Sequence, residues 1–145
     1  DFALNRSITS AYRGAVATGE NLFSAVDARN LVRYGGIRPG LDVLQMDPGL
    51  SYGVTEYART LDELEQAGFF RSQCFPHGGH LINLHVVAGL GLGGCEAYPG
   101  VFQPFGGFAP QCRIGGGRVT VPDAPGFGLE LKPELAPFLD ALGEN

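Results

Sequence analysis

The chain has 145 residues, 44% of them hydrophobic and 17% charged, which is typical of one globular domain with its own core and excludes intrinsic disorder. Its formal net charge at pH 7 is −5 and it has a single lysine, Lys132, so it has no basic surface for nucleic acid or anionic lipid. No apolar run reaches the roughly 18 residues of a membrane-spanning helix, and we expect no membrane partner.

Short apolar runs that end in polar residues alternate with helical patterns through the first hundred residues. This alternation predicts an α/β fold in which βα units surround a parallel sheet. In chain order, the predicted elements are a strand at 14–18, a helix at 25–34 capped by Ser24, a strand at 42–46, a helix at 54–64, a strand at 73–75, a helix at 81–88 and a strand at 95–98.

The composition then changes to glycine, proline and aromatic residues. Residues 113–121 predict a hairpin that turns at the glycines 115–117, and a short helix is expected from about 133 to 142. Four parallel strands cannot close a barrel, and a complete (β/α)8 domain takes about 250 residues. We therefore expect this chain to be one part of a larger barrel.

Cysteine usage and the first residues bear on the cellular compartment. Cys74, Cys95 and Cys112 are odd in number and widely spaced, which is typical of reduced thiols rather than of disulfides or a zinc site. The N-terminus lacks the pattern of a signal peptide, and we expect a cytoplasmic protein. The chain also begins without a methionine, which predicts that it is cut from a longer protein.

Four polar residues follow the predicted strands: Glu20, Asp47, His77 and Glu96. Taken singly, each is more ordinarily a solvated carboxylate or a core histidine. Together they would share the rim at the C-terminal ends of the strands, where barrel enzymes place their chemistry. Since neighbouring strands lie about 4.8 Å apart, Asp47 and His77 are expected to hydrogen-bond as an acid/base dyad, the carboxylate fixing the imidazole tautomer.

Other motifs are interpreted structurally. The stretch 89–94 satisfies G-x-G-x-x-G, but it follows a helix and precedes a strand, the reverse of the dinucleotide-binding context. His80 and His85 point away from a common metal site; we expect His80 to cap or line its loop and His85 to make a helix contact. The glycines 106–107 fit either a wall over the site or a strained connection, and the sequence leaves both open.

Several of these segments resemble the mandelate racemase branch of the enolase superfamily. They are Gly19-Glu20-Asn21, Met46-Asp47 and the stretches 76–80, 95–99 and 121–128. Within the branch, the stretches 33–36, 50–53 and 98–108 look most like the D-tartrate dehydratase group and related acid-sugar dehydratases. The resemblance implies that residues 1–110 form the C-terminal half of a TIM-type (β/α)7β barrel, with about four βα units, and that residues 111–145 form an extension that packs back on it.

The resemblance also implies roles for individual residues. Glu20 would be one of three carboxylate ligands of an essential Mg²⁺, which suits a hard cation. Asp47 and His77 would be the Asp-His dyad, with His77 the general acid in a dehydratase or the second base in a racemase. Glu96 would hydrogen-bond a carboxylate oxygen of the substrate, and Tyr98 would lie in the substrate site. The reaction implied is proton abstraction next to a carboxylate, with the metal stabilising the enediolate.

The family pattern is incomplete in this sequence. Two metal carboxylates, a lysine base and the capping domain of the family are absent, and Lys132 in the tail is no substitute. We expect the missing N-terminal half to be the partner of this chain, the intact enzyme to be a homo-oligomer, and its substrate to be a small hydroxycarboxylate or acid sugar. Dehydration is expected, with racemisation or epimerisation as one alternative and an inert fragment or structural half as the other.

Overall fold

The computed structural model describes residues 1–143. Its regular elements are, in chain order, α1 Phe2–Ala11, β1 Ala17–Thr18, α2 Ala25–Tyr34, β2 Val43–Leu44, α3 Gly53–Gln66, α4 Leu81–Leu90, β3 Ile114–Gly115, β4 Arg118–Val119 and α5 Ala136–Gly143. Three short 3-10 turns lie at Arg71–Gln73, Leu129–Leu131 and Pro133–Leu135. The predicted α/β class is therefore observed, with sheets much shorter than expected.

The central helices form where their local sequence signals lie. The Ser24 hydroxyl accepts a hydrogen bond from the Asp27 backbone N–H at 3.2 Å, and α2 then has the predicted bounds. Helix α3 contains the predicted 54–64, and α4 runs two residues beyond the predicted 81–88 before Gly91 ends it at φ +67°. Their apolar faces meet in one core with β2, which includes Leu31, Leu44, Tyr57, Leu61, Leu64 and Cys74.

The parallel sheet is short, and its segments pair in chain order. Strands β1 and β2 pair in parallel, with Thr18 opposite Leu44, and Leu44 forms a parallel bridge with Cys74. The backbone N–H of Gly93 donates to the Cys74 carbonyl at 3.1 Å, which continues the order toward the segment before Glu96. Glu20, Asp47, His77 and Glu96 therefore follow neighbouring segments of this array.

Two predicted strands differ from the structure. Residues 71–73 form a 3-10 turn, so the predicted strand at 73–75 is reduced to the bridge at Cys74, and residues 95–98 have no strand. The approach to Glu96 is set instead by close packing, since a Cβ atom on Gly93 would lie 2.2 Å from the Ser72 carbonyl oxygen. The segment reaches its place by contact with the turn before it, and not by regular pairing.

Helix α1 is absent from the elements predicted from the sequence. The Asp1 carboxylate caps it by accepting from the backbone N–H groups of Ala3 and Leu4. The helix is held to the end of α2 by the Asn5 side-chain amide, which donates to the Gly35 carbonyl at 2.6 Å. Apolar and polar residues are equally frequent in this helix, and its contacts to α2 stabilise it.

The C-terminal tail packs back on α4. Strands β3 and β4 form the predicted hairpin, with Ile114 opposite Val119, and the positive φ angles of Gly116 and Gly117 permit its two-residue turn. A second apolar cluster joins α4 to the tail and contains Leu81, Leu84, Ala109 and Cys112, with Val119, Val121, Leu129 and Leu131 packed against it. Helix α5 begins at Ala136, after the 3-10 turn that starts at the predicted Pro133.

None of the helices within residues 1–143 combines the length and the apolar character needed to cross a membrane.

Candidate active site

A hydrogen-bonded cluster lies at the C-terminal side of the parallel segments, around the Glu96 carboxylate. Its Oε2 atom is 3.0 Å from His77 Nδ1 and accepts from the Tyr98 hydroxyl at 2.6 Å. Its Oε1 atom accepts from Gln45 Nε2 at 3.1 Å. The Tyr98 ring also meets the His77 ring edge to face, with centroids 6.2 Å apart. Three side chains from three segments thus converge on one carboxylate.

The cluster sets the protonation of Glu96 and Tyr98. Partial burial raises the pKa of Glu96, but the hydrogen bonds from Tyr98, His77 and Gln45 lower it by more, and the net pKa is below the ordinary value. Burial and the bond to Glu96 raise the pKa of Tyr98 to about 12. At neutral pH, Glu96 is therefore an ionised acceptor and Tyr98 a neutral donor.

Asp47 is fully buried, and its contacts differ from the expected dyad. Its Oδ1 atom accepts from the backbone N–H of Gly49 at 2.6 Å, which closes the turn after β2. Its Oδ2 atom is 3.9 Å from His80 Nε2, while His77 is engaged with Glu96. Within residues 1–143, no recorded hydrogen bond or ion pair joins Asp47 to His77. The turn directs the carboxylate toward the loop 78–80, away from the His77 ring.

The loop between His77 and α4 is packed tightly around Asp47. A Cβ atom on Gly78 would lie 2.2 Å from Asp47 Oδ2, so only glycine fits at this position. His80 is the N-cap of α4, its Nδ1 accepting from the Asn83 backbone N–H at 3.3 Å, as its expected capping role required. Burial lowers the pKa of His80, and the nearby Asp47 carboxylate opposes that effect only in part. The Asp47 Oδ2 and Asn83 Oδ1 atoms are buried there without a hydrogen bond among the described residues.

His85 lies outside this cluster. Its ring contacts Phe127 of the tail edge to face, with centroids 5.9 Å apart, and its Nε2 atom is buried without a recorded partner in the described part of the chain. This is the helix contact expected for it.

Glu20 stands apart from the cluster, two residues beyond the end of β1. Its Oε1 atom accepts from the Asn21 amide at 3.4 Å, and it lines a cavity of about 170 Å³ together with Asp1, Phe2 and Asn5 of the N-terminal segment. Across residues 1–143, no group of three or more His, Cys, Asp or Glu side chains is placed to hold a metal ion. Because Mg²⁺ takes six ligands in near-octahedral geometry, the described residues alone do not fit a magnesium site.

The loop 99–107 forms one wall of the cluster. The Gly107 backbone N–H donates to the Gly79 carbonyl at 2.7 Å, and Gly107 forms a parallel bridge with His80. Of the two interpretations of the glycines at 106–107, the wall beside the site is the one that these contacts favour. A cavity of about 690 Å³ lies behind this wall, between the loop and the tail.

Sequence reasoning missed two residues of this region. Gln45 lies in the predicted strand 42–46, two positions before Asp47, and the period-2 alternation of a strand could have indicated that it faces the same rim. Lys132 was given no role in the site. It lies in the tail but is only 3% exposed, and its ammonium group donates to the carbonyl oxygens of Pro104 and Gly106 in the loop beside the site. No local signal links residues so far apart in the chain.

Comparison with known proteins places this arrangement in context. Residues 3–135 match the family described as Enolase C-terminal domain-like. The crystal structure of a mandelate racemase/muconate lactonizing enzyme from Polaromonas sp. JS666 is similar, with a TM-score of 0.69 and 25% identity over 88% of this chain and 33% of that chain. The L-talarate dehydratase from the same organism, complexed with Mg and L-glucarate, has a TM-score of 0.68, 25% identity and the same coverage.

A third structure shares the fold. It is a mandelate racemase/muconate lactonizing enzyme from a marine actinobacterium in complex with magnesium, with a TM-score of 0.62 and 22% identity over 88% of this chain and 35% of that chain. The chain thus spans about one third of the length of the solved structures it matches.

Proposed function

Because the chain belongs to the Enolase C-terminal domain-like family, we propose that it forms the C-terminal part of a hydro-lyase that dehydrates a hydroxycarboxylic acid or acid sugar, with His77 as general acid. The fold of this family is of the TIM-barrel α/β type, and members of the enolase superfamily are enzymes. The observation that carries the proposal is the His77–Glu96–Tyr98 cluster, in which an imidazole is held at 3.0 Å from an ionised carboxylate.

The geometry supports an acid role for His77. When Nδ1 carries a proton, it donates to Glu96, and Nε2, whose only recorded polar neighbour within residues 1–143 is the Tyr98 hydroxyl at 3.5 Å, is the nitrogen proposed to face a substrate. The adjacent carboxylate fixes the orientation of the imidazole ring, as a positioned acid catalyst requires. In the proposed step, Nε2 gives its proton to the departing hydroxyl, the C–O bond breaks, water leaves, and the enol product tautomerises to a 2-keto acid. The α-proton is taken by a base outside this chain.

Glu96 and Tyr98 are proposed to act together with His77. Since Glu96 already accepts from Tyr98 and Gln45, its role here is to hold the imidazole, in addition to the contact with a substrate carboxylate implied by the family. We assign Asp47 a supporting role. It is buried against Gly78 in the loop after His77, and its carboxylate lies 3.9 Å from His80 Nε2 instead of pairing with His77.

We also propose Mg²⁺ as the cofactor of the complete enzyme, with Glu20 as one oxygen ligand. Two of the similar structures are magnesium complexes, as their names state. One carboxylate is too few to hold the ion, and no step described above depends on it. The other ligands, the base and the substrate-selecting surface would come from a part of the enzyme outside these 145 residues.

The remaining features of the complete enzyme extend the proposal. We place residues 1–110 in its barrel and 111–145 in an extension, expect a cytoplasmic homo-oligomer, and take an acid sugar or tartrate-like hydroxyacid as its substrate. The similar L-talarate dehydratase supports the acid-sugar class. The segments 33–36, 50–53 and 98–108 motivate tartrate as a member to be tested.

The decisive experiment is a substrate screen of the full-length protein that carries this chain. Aldaric acids, aldonic acids and tartrates would be incubated with Mg²⁺, and 2-keto acid formation would be followed together with optical rotation. His77→Asn is expected to lower kcat by about 10²- to 10⁴-fold, because a general acid contributes about that much.

His85→Asn is the matched control, since His85 contacts Phe127 and lies outside the cluster. It should retain activity within a few-fold. Loss of optical activity without keto acid would replace dehydration by racemisation or epimerisation, the alternative that the same histidine supports. If no hydroxyacid reacted, the dehydratase proposal would be wrong and a structural role would gain support.

A further inference from the structure

Lys132 carries a buried charge that the proposed reaction does not use. Its side chain is among the buried polar groups at 3% exposure, and its ammonium donates to the carbonyl oxygens of Pro104, at 2.7 Å, and Gly106. Burial lowers its pKa, and the neighbouring Glu134, which is exposed, opposes this effect without forming a recorded ion pair in the described chain. An ammonium buried without a carboxylate partner costs free energy, and in this structure the two carbonyl oxygens are its compensating partners.

The backbone of Lys132 is fixed by the tail. Its N–H donates to the Leu129 carbonyl at 3.0 Å, and its own carbonyl accepts from the Leu135 N–H at 2.9 Å. Leu129 and Leu131, just before it, pack on the apolar cluster that the tail forms with α4. The backbone of Lys132 is therefore held in place by the tail, which packs on α4, and its side chain reaches the 99–107 loop.

The 99–107 loop, whose carbonyl groups bind the Lys132 ammonium, borders the candidate site. The Gly107 N–H, next to the bonded Gly106 carbonyl, donates to Gly79 at 2.7 Å, in the loop that carries His77. A Cβ atom on Gly79 would lie 2.5 Å from the Tyr98 backbone nitrogen. The loop after His77 is therefore in direct contact with the backbone of Tyr98. The Tyr98 hydroxyl in turn donates to Glu96 at 2.6 Å.

We propose that Lys132 is a positioning residue: it clamps the 99–107 loop through the Pro104 and Gly106 carbonyls, and thereby holds Tyr98 in hydrogen-bonding register with Glu96 and His77. It does not contact the reacting atoms. The catalytic part of this inference rests on the proposed dehydratase function, whereas the clamp itself does not.

The test replaces the ammonium while keeping the shape of the side chain. Lys132→Met in the full-length protein fills a similar volume but leaves the Pro104 carbonyl without the ammonium donor. We expect a modestly lower unfolding midpoint, a kcat lowered by about 10- to 100-fold with a much smaller change in KM, and hydrogen exchange in segment 105–108 at least about tenfold faster. Glu134→Gln, an exposed position two residues from Lys132 with no recorded bond to the loop in the described part of the chain, is the control and should leave all three unchanged.

Each outcome decides the proposal. Unchanged exchange would show that Lys132 does not clamp the loop, and faster exchange with unchanged kcat would show that the clamp does not position the site; either overturns it. A fall in kcat without faster exchange would mean that Lys132 acts directly, which also overturns it. If Lys132→Met does not fold, Lys132→Gln, whose amide donates to one carbonyl, takes its place with the same expectations.

Failure of the dehydratase proposal is separable. If the wild-type protein dehydrated no hydroxyacid, the exchange of segment 105–108 would still test the clamp, with acceleration supporting it and no change refuting it.

Discussion

Glu96 shows how a single side chain acquires its chemistry from its neighbours. It is partly buried, which by itself favours the neutral acid, yet Tyr98, His77 and Gln45 all donate toward it and keep it ionised. Removing one donor should therefore raise its pKa, and any activity that needs the carboxylate should change its pH dependence in a direction that can be stated beforehand.

Tyr98→Phe tests this reasoning in the full-length enzyme. Loss of the 2.6 Å bond to Glu96 raises the pKa of the carboxyl, so the acidic limb of the kcat/KM profile should move to higher pH. At neutral pH we expect kcat/KM to fall about 10- to 100-fold, since a hydrogen bond to a charged group contributes about 1.5–3 kcal/mol. Tyr52→Phe is the control, because Tyr52 is 81% exposed. An unmoved acidic limb in Tyr98→Phe would mean that the bond does not govern Glu96.

Asp42 performs the corresponding structural task at the start of β2. Its carboxylate is fully buried and accepts from the Val16 N–H at 2.9 Å and from the backbone and guanidinium N–H groups of Arg38, which tie β1 to β2. Burial raises the pKa of Asp42, but the hydrogen bonds from Arg38 and Val16 outweigh it and leave the pKa below its ordinary value.

Asp42→Asn should lower the free energy of unfolding by about 3–5 kcal/mol, because Arg38 would lose a buried charged partner. Since the folded pKa is depressed, the stabilisation is present above the unfolded pKa of about 3.9 and is lost as pH falls through the folded value. Urea unfolding of the chain between pH 7 and pH 3 would show the difference from wild type shrinking with acidity. The exposed Asp123→Asn should show no comparable difference, and a gap that stayed constant down to pH 3 would contradict the assignment.

At the scale of elements, the helices follow local signals and the strands do not. Helix α2 has its predicted bounds because Ser24 and an amphipathic pattern lie within ten residues of each other. Strands β1 and β2 have only two residues each, and the extent of their pairing depends on how closely segments distant in the chain approach each other. The loops after the strands, which carry the site, are shaped by packing, with Gly78 as the tightest point.

Gly78→Ala should disturb the loop between His77 and α4. Its new methyl group would lie 2.2 Å from Asp47 Oδ2 and 2.6 Å from Asn83 Nδ2, so the loop must shift. We expect a loss of about 1–3 kcal/mol from overpacking, and a kcat about 100-fold lower as His77 moves. Gly89→Ala in α4 meets nothing within 4 Å and is the matched control. Equal activity and equal unfolding midpoints for the two variants would show that the loop yields without cost.

At the scale of the whole molecule, the chain is proposed to supply the acid side of a site and one metal carboxylate. Glu20 lines a cavity beside the N-terminal segment, and residues 1–143 contain no group of three or more His, Cys, Asp or Glu side chains placed to hold a metal ion. The chain spans about one third of the similar solved structures, so complete metal binding is proposed only for the full-length protein.

Magnesium titrations should separate the two forms. By calorimetry, the 145-residue chain is expected to show no saturable Mg²⁺ binding below about 1 mM, because one carboxylate leaves most of the octahedron to water. The full-length protein should bind more tightly, and Glu20→Gln should weaken it at least about tenfold, as expected for the loss of a ligand. The exposed Glu130→Gln should not. Tight binding by the short chain would contradict the single-ligand assignment.

The sequence by itself determined helices α2, α3 and α4, the hairpin at residues 114–119 and the placement of Glu20, Asp47, His77 and Glu96 after the parallel segments. These follow from short-range signals and from the rule that parallel strands end on one face. Only the tertiary structure paired His77 with Glu96 instead of Asp47, brought in Gln45, and placed the Lys132 ammonium on the 99–107 loop. Those contacts join residues from about 20 to 50 positions apart, and hydrogen-bond partners at such separations are selected by packing and burial, which no local pattern encodes.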